Sequence, residues 1–135
     1  MSTETWTDLW ARNSKSGNYI WTIEHIFPEG ENIPSEWIDM IANGDAELAR
    51  KYLYEYSHKL GNLTMTGYNS TLGNFSFEKK RDRVSKKDPS VYIGYKNGLS
   101  INGELAEKEN WTIEDIIART EKLSQQAISL FAFPD

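Results

Sequence analysis

Two histidines, a carboxylate beside one of them, three asparagines and a run of cations are the residues here with chemistry to offer. His25 follows Glu24 in the stretch Thr22-Ile23-Glu24-His25-Ile26-Phe27-Pro28. An imidazole titrates near neutral pH and can serve as a general base, and a carboxylate directly before it offers a hard oxygen to a divalent cation. Alone, such a Glu-His pair is more often a satisfied structural one. The second segment runs Leu60-Gly61-Asn62-Leu63-Thr64-Met65-Thr66-Gly67-Tyr68-Asn69 and continues Ser70-Thr71-Leu72-Gly73-Asn74-Phe75-Ser76-Phe77-Glu78-Lys79-Lys80. Asparagine is a poor helix former and favours turns and caps, which accounts equally well for Asn69. Asn74 is expected inside a helix, where capping does not explain it. Two readings stand for His58: contact with phosphate or the catalytic loop, or a hydrogen-bonded structural role, the commoner fate of such a histidine.

Lys79, Lys80, Arg81, Arg83, Lys86 and Lys87 form a basic run broken by Asp82, in a chain of net charge −5. A charge run is usually a solvated helix face; the alternative is a track for phosphates. The overall acidity excludes a protein that coats nucleic acid by bulk electrostatics, but not a local basic surface. The absence of cysteine excludes disulfides, thiolate zinc sites, iron–sulfur clusters and cysteine nucleophiles. No glycine-rich phosphate loop occurs, so neither an NTPase nor a dinucleotide-dependent enzyme is supported. No stretch is apolar enough for a membrane span and the first ten residues lack the order of a signal peptide, which points to the cytoplasm.

The elements that must position these residues follow from pattern. Tyr19 to Phe27 is rich in aromatic and β-branched residues and reads as a strand ended by Pro28. Pro34 suits the start of a helix whose Trp37, Ile38 and Ile41 share a face, and Gly44 closes it. Asp45 caps a second helix through Tyr56. Leu60 to Thr66 reads as a short strand, Asn69 to Val84 as a polar helix, and Val91 to Ile93 as a short apolar piece in a loop. Thr112 with Asp115 forms a capping box for a long helix with Ile113, Ile116, Ile117, Leu123, Ala127 and Leu130 on its buried face. Trp6, Trp10, Trp21, Trp37 and Trp111 read as core. The fold class is α+β, mostly helical, in a single domain over residues 1–135.

Glu-His-Ile-x-Pro, then Leu-Gly-Asn-Leu-Thr, then Asn-x4-Asn-x-x-Phe-x-x-Lys resembles the HNH (His-Me finger) nuclease domain at the C-terminus of GmrSD-type modification-dependent restriction enzymes. The likeness runs from Trp21 to Lys80 and extends to the segment beginning at Trp111. It implies a ββα-metal motif embedded among helices, with its core at residues 19–84 and a long C-terminal helix at 112–131. It further implies a metal-dependent endonuclease that hydrolyses DNA phosphodiester bonds in phage defence. His25 then matches the general base, and Asn62 the residue that steadies the loop and orients it. Glu24 and Asn74 match the metal ligands, with Asn69 as the alternative to Asn74. Carboxylate and amide oxygens suit Mg²⁺ or Mn²⁺.

Departures from the common pattern are the helical insertion from Pro34 to Tyr56 and the lack of zinc-binding Cys-x-x-Cys staples. The resemblance also implies a partner, an N-terminal nucleotide-binding domain that senses modified DNA and is absent from this chain. No residue decides DNA against RNA. The competing readings are a catalytically silent DNA-binding module and a helical protein-interaction domain.

Overall fold

A computed structural model describes residues 12, 14, 22–67 and 72–131, with side chains up to 128. Strand β1 (Thr22–His25) pairs with β2 (Leu63–Thr66) in a two-stranded sheet. The helices are α1 (Ser35–Ala42), α2 (Ala46–Tyr56), α3 (Phe77–Asp82), the four-residue α4 (Gly103–Ala106) and α5 (Ile113–Phe131), with 3₁₀ turns at Leu60–Asn62 and Ser100–Asn102. The fold is thus α+β, with five helices and one two-stranded sheet among the described residues. The chain forms two compact units: residues up to Glu24 with Thr64–Asn110, and His25–Leu63 with the residues from Trp111 on. No described helix is long and apolar enough to cross a membrane.

In the second unit, α1 starts where expected. Pro34 carries the fixed backbone angle that precedes a helix, and its carbonyl accepts from the Trp37 and Ile38 amides. The helix ends on Asn43 in the left-handed conformation (φ 51°), followed by Gly44 at φ 88°, so the reversal takes two residues and not Gly44 alone. The Asp45 side chain accepts from the Glu47 and Leu48 amides and caps α2. Trp37, Ile41, Ala49, Leu53, Phe27 and Trp111 are buried between these helices and the first turns of α5.

The capping box of α5 forms as its sequence predicts, with Asp115 accepting from the Thr112 amide and hydroxyl. Its buried face differs, however. Ile113 and Ile116 are buried, but Ile117 is 48% exposed and Arg119 is enclosed instead. The Arg119 guanidinium donates to the carbonyls of Gly61 (2.9 Å) and Leu63 (2.8 Å), which satisfies a charge that burial would otherwise penalise. Ala127 is exposed. The 3₁₀ turn lies so close to α5 that a Cβ on Gly61 would fall 2.1 Å from the Ile116 carbonyl oxygen. Only glycine fits there.

In the first unit the stretch expected as one polar helix is interrupted: Leu72 is helical, Gly73 and Asn74 form an exposed turn, and α3 then begins at Phe77, capped by the Ser76 hydroxyl. Serine accepting from the Lys79 amide starts the helix where Ser76 stands, which leaves Asn74 outside it. Leu72 and Phe77 are buried, and Val84 pairs with Tyr92 in an isolated antiparallel bridge, the apolar piece anticipated at Val91 to Ile93. Gly94 permits this return: a Cβ there would sit 1.8 Å from the Lys80 carbonyl oxygen. Asn102 is buried, donating to the Met65 carbonyl and accepting from the Thr64 hydroxyl, and so braces β2. Trp37 and Trp111 are core residues as expected; Trp6, Trp10, Trp21, Leu130 and Asn69 lie outside the described side chains.

Candidate active site

His25 ends β1 with its side chain 19% exposed. Its Nε2 lies 3.0 Å from Nδ1 of His58, the two rings meeting edge to face at 83° with centroids 4.9 Å apart. A hydrogen bond between two ring nitrogens requires one N–H and one lone pair, so the rings share a proton. The Glu29 carboxylate approaches both, 3.7 Å from His25 Nε2 and 4.0 Å from His58 Nε2. His58 and Glu29 are largely exposed and line an open groove with Arg50, Tyr54, Asn32 and Glu31. Two imidazoles and a carboxylate, one donor atom from each within 4.8 Å of the others, make this a cluster able to hold a metal ion. His58 is therefore hydrogen-bonded to His25.

Asn62 sets the position of both histidines. Its Oδ1 accepts from the Phe27 amide (2.8 Å) and from the Trp111 indole (3.2 Å). Its Nδ2 donates to the carbonyls of Phe27 and Ser57, each at 2.9 Å. One side chain thus ties down the residue two after His25 and the residue just before His58. Asn62 is fully buried, and its amide oxygen and nitrogen are both spent on the protein's own groups. The Ile26 amide adds a bond to the Asn62 carbonyl at 2.9 Å.

Glu24 belongs to a different environment. It is buried, with Oε2 2.5 Å from the Tyr95 hydroxyl and Oε1 3.0 Å from the Lys80 ammonium. Burial raises the carboxyl above its ordinary value, against the pull of Lys80 and the hydrogen bond from Tyr95. Burial likewise lowers Lys80, against the pull of Glu24. Both charges are consumed by each other. Glu24 would have to give up Lys80 before it could ligate a cation, and Lys80 lies beneath the surface, where no phosphate reaches it.

The other five cations of the basic run divide by exposure. Arg81 is held by two parallel bonds to Asp82 at 2.8 Å and donates to the Lys108 carbonyl at 2.6 Å. That pair, with Lys96 2.9 Å from Asp82, holds the Asp82 carboxyl far below its ordinary value. Arg83 is half-buried with its guanidinium 5.0 Å from the centre of the Phe75 ring. Lys79, Lys86 and Lys87 are exposed. Lys79, Arg83 and Lys86 line a shallow groove with Ser85 and Pro89.

Sequence reasoning missed Glu29, Tyr95, Trp111 as a hydrogen-bond donor, and Arg119. Glu29 alone left a signal, a carboxylate four residues after His25 and just past the Pro28 turn. Tyr95 lies 71 positions from Glu24, a pairing that only the fold reveals.

An α+β chain whose first strand delivers a histidine to a second histidine and a carboxylate has the donor groups of a hydrolytic or metal centre. Residues 2–126 match the family described as GmrSD restriction endonucleases, C-terminal domain, and the chain belongs to that family. No curated protein and no solved structure shows significant similarity to it.

Proposed function

We propose that this domain is a metal-dependent endonuclease of the HNH type that hydrolyses phosphodiester bonds in DNA, with His25 as the general base. The observation that supports this reading most is the meeting of His25, His58 and Glu29 at one accessible point, fixed from behind by Asn62, in a chain of a restriction-endonuclease family. His25 Nε2 accepts the proton of the attacking water. His58 holds that same nitrogen at 3.0 Å and, being 70% exposed, must turn aside to free its lone pair for the water. Asn62 holds the backbone beside both residues, so that His25 stays in place when substrate arrives.

The donor set fits a divalent cation, with Glu29 offering a carboxylate oxygen and His58 an imidazole nitrogen; this pairing suits Mn²⁺ better than Mg²⁺. When bound, the cation would stabilise charge on the phosphate and the leaving oxygen. Glu24, expected as a ligand, instead joins Lys80 and Tyr95 in a buried trio that fixes the strand just before His25. Exposed Lys79, Lys86 and Lys87 supply the phosphate contacts. Specificity would come from a separate nucleotide-binding, modification-sensing domain, and the site of action is the cytoplasm.

The test is cleavage of an end-labelled DNA duplex with Mn²⁺ or Mg²⁺ against EDTA. The reading expects cation-dependent products with 5′-phosphate and 3′-hydroxyl ends. DNA binding without cleavage under either cation would instead identify a silent binding module.

A further inference from the structure

The three side chains at the end of β1 form a donor set with its own preference among cations. Oxygen-rich sites favour Mg²⁺, whereas two imidazoles and one carboxylate favour borderline first-row ions and recur as a His₂Glu set around Zn²⁺. Ligand atoms on a tetrahedral Zn²⁺, bonded at about 2.0–2.1 Å, lie about 3.3–3.5 Å apart. His25 Nε2 lies 3.0 Å from His58 Nδ1 and 3.7 Å from Glu29, on either side of that value, whereas it is the other nitrogen of His58, Nε2, that lies 4.0 Å from Glu29. One donor atom from each residue falls within 4.8 Å of the other two. His58 and Glu29 must turn to close the set on a single His58 nitrogen, and both are largely exposed and line an open groove through which a hydrated ion can enter. Asn62 fixes the backbone beside both histidines, so much of the ordering is already in place.

We propose that His25, Glu29 and His58 bind a borderline divalent ion such as Zn²⁺, and that this occupancy inhibits the nuclease by taking the lone pair of His25. On loading, the ring that carries the shared N–H switches tautomer, giving up that proton and taking one at its other nitrogen, so that both facing nitrogens become neutral-imidazole ligands. The inhibitory half rests on the reading of His25 as general base; the binding half does not. Mn²⁺ and Mg²⁺, held more weakly and through harder donors, leave His25 able to accept a proton. The same seat therefore sorts cations into those that support cleavage and those that block it.

The experiment is titration of the full chain with Co²⁺, read by visible absorption, and with Zn²⁺, read by competition against a chromogenic chelator. Wild type is compared with His58→Ala, Glu29→Gln and, as a groove control outside the set, Glu31→Gln, with folding checked by circular dichroism. One ion per chain is expected, with binding weakened tenfold or more in His58→Ala and Glu29→Gln and changed less than twofold in Glu31→Gln. Absence of binding, or equal binding by His58→Ala and Glu29→Gln, overturns the site. In a second arm, one equivalent of Zn²⁺ is expected to slow Mn²⁺-driven nicking tenfold or more. Full-rate nicking by the Zn²⁺-loaded chain overturns the inhibitory half. A chain that nicks under no condition refutes the nuclease reading instead, and the binding arm then decides the site by itself.

Discussion

The Asn62 side chain brackets the Phe27 peptide, accepting from its N–H at 2.8 Å and donating to its carbonyl at 2.9 Å. This two-way bond reaches across 35 positions and closes the loop that leaves His25. The remaining valences of the same amide go to Ser57, next to His58, and to the Trp111 indole. One buried side chain thereby fixes the backbone beside both histidines of the site.

Asn62→Ala strands two buried carbonyls, an amide and an indole N–H. At about 1–3 kcal/mol for each unsatisfied buried group, partly relieved by water, the loss should reach about 3–4 kcal/mol in urea unfolding. Activity should fall further than the unfolded fraction accounts for, because His25 and His58 lose their common support.

The Glu24–Lys80 pair makes an unusual pH prediction. Lys80→Met leaves a buried carboxylate without its cation and should cost about 3–5 kcal/mol at neutral pH, with Glu24→Gln/Lys80→Met recovering most of it. Glu24 already titrates above the ordinary 4.5, and loss of Lys80 removes the largest influence holding it down. The folded variant then holds a proton that the unfolded chain has released. Its stability should therefore fall as pH rises from about 4.5 through the raised value. Unfolding midpoints of Lys80→Met across mildly acidic to neutral pH check the sign: a rise over that interval would contradict it.

Among the six cations, reversal to Glu should discriminate by exposure. Lys79→Glu/Lys86→Glu/Lys87→Glu is expected to weaken DNA binding tenfold or more and to flatten its salt dependence, by about one unit of log–log slope for each phosphate no longer neutralised. Arg81 is committed to Asp82 and the Lys108 carbonyl, so Arg81→Glu should act first on stability. Fluorescence anisotropy at several salt concentrations, beside thermal unfolding, separates the two effects.

Two glycines give a steric contrast. Gly61→Ala places a Cβ against the Ile116 carbonyl and the Thr120 amide of α5, both backbone atoms, and should cost about 3 kcal/mol or more. Gly103→Ala meets nothing within 4 Å at a helical φ of −57° and should be neutral or stabilising by up to about 1 kcal/mol. Equal effects in urea unfolding would contradict the packing of the 3₁₀ turn on α5.

Local signals were legible in the sequence wherever neighbours decide the outcome. Pro34, Asp45 and the Thr112–Asp115 box each satisfy helix-end amides or carbonyls within a few residues, and the helices begin where those residues stand. Asn62 stood out through the resemblance of Leu-Gly-Asn-Leu-Thr to a family motif, while its four partners became visible only in the fold. Other features depend on pairings across the fold. Glu24 and Lys80 lie 56 positions apart, so a carboxylate that looked available for a metal and a lysine that looked solvated are hidden together. Arg119 reads as a surface residue on a helical wheel until the carbonyls of Gly61 and Leu63 come within its reach. The single helix expected from Asn69 to Val84 is broken by the turn at Gly73 and Asn74, after which Ser76 caps a new start.

Plasmid nicking by wild type and His25→Ala, in Mn²⁺ and in EDTA, tests the central claim most directly. Both proteins should have the same circular dichroism, since the side chain is partly exposed and its strand is held by Asn62 and the backbone. A general base contributes about 10²–10⁴-fold, so wild type should nick only with the cation and His25→Ala should fall at least a hundredfold. Equal nicking by the two proteins would contradict the assignment of His25 and, with it, the site proposed here.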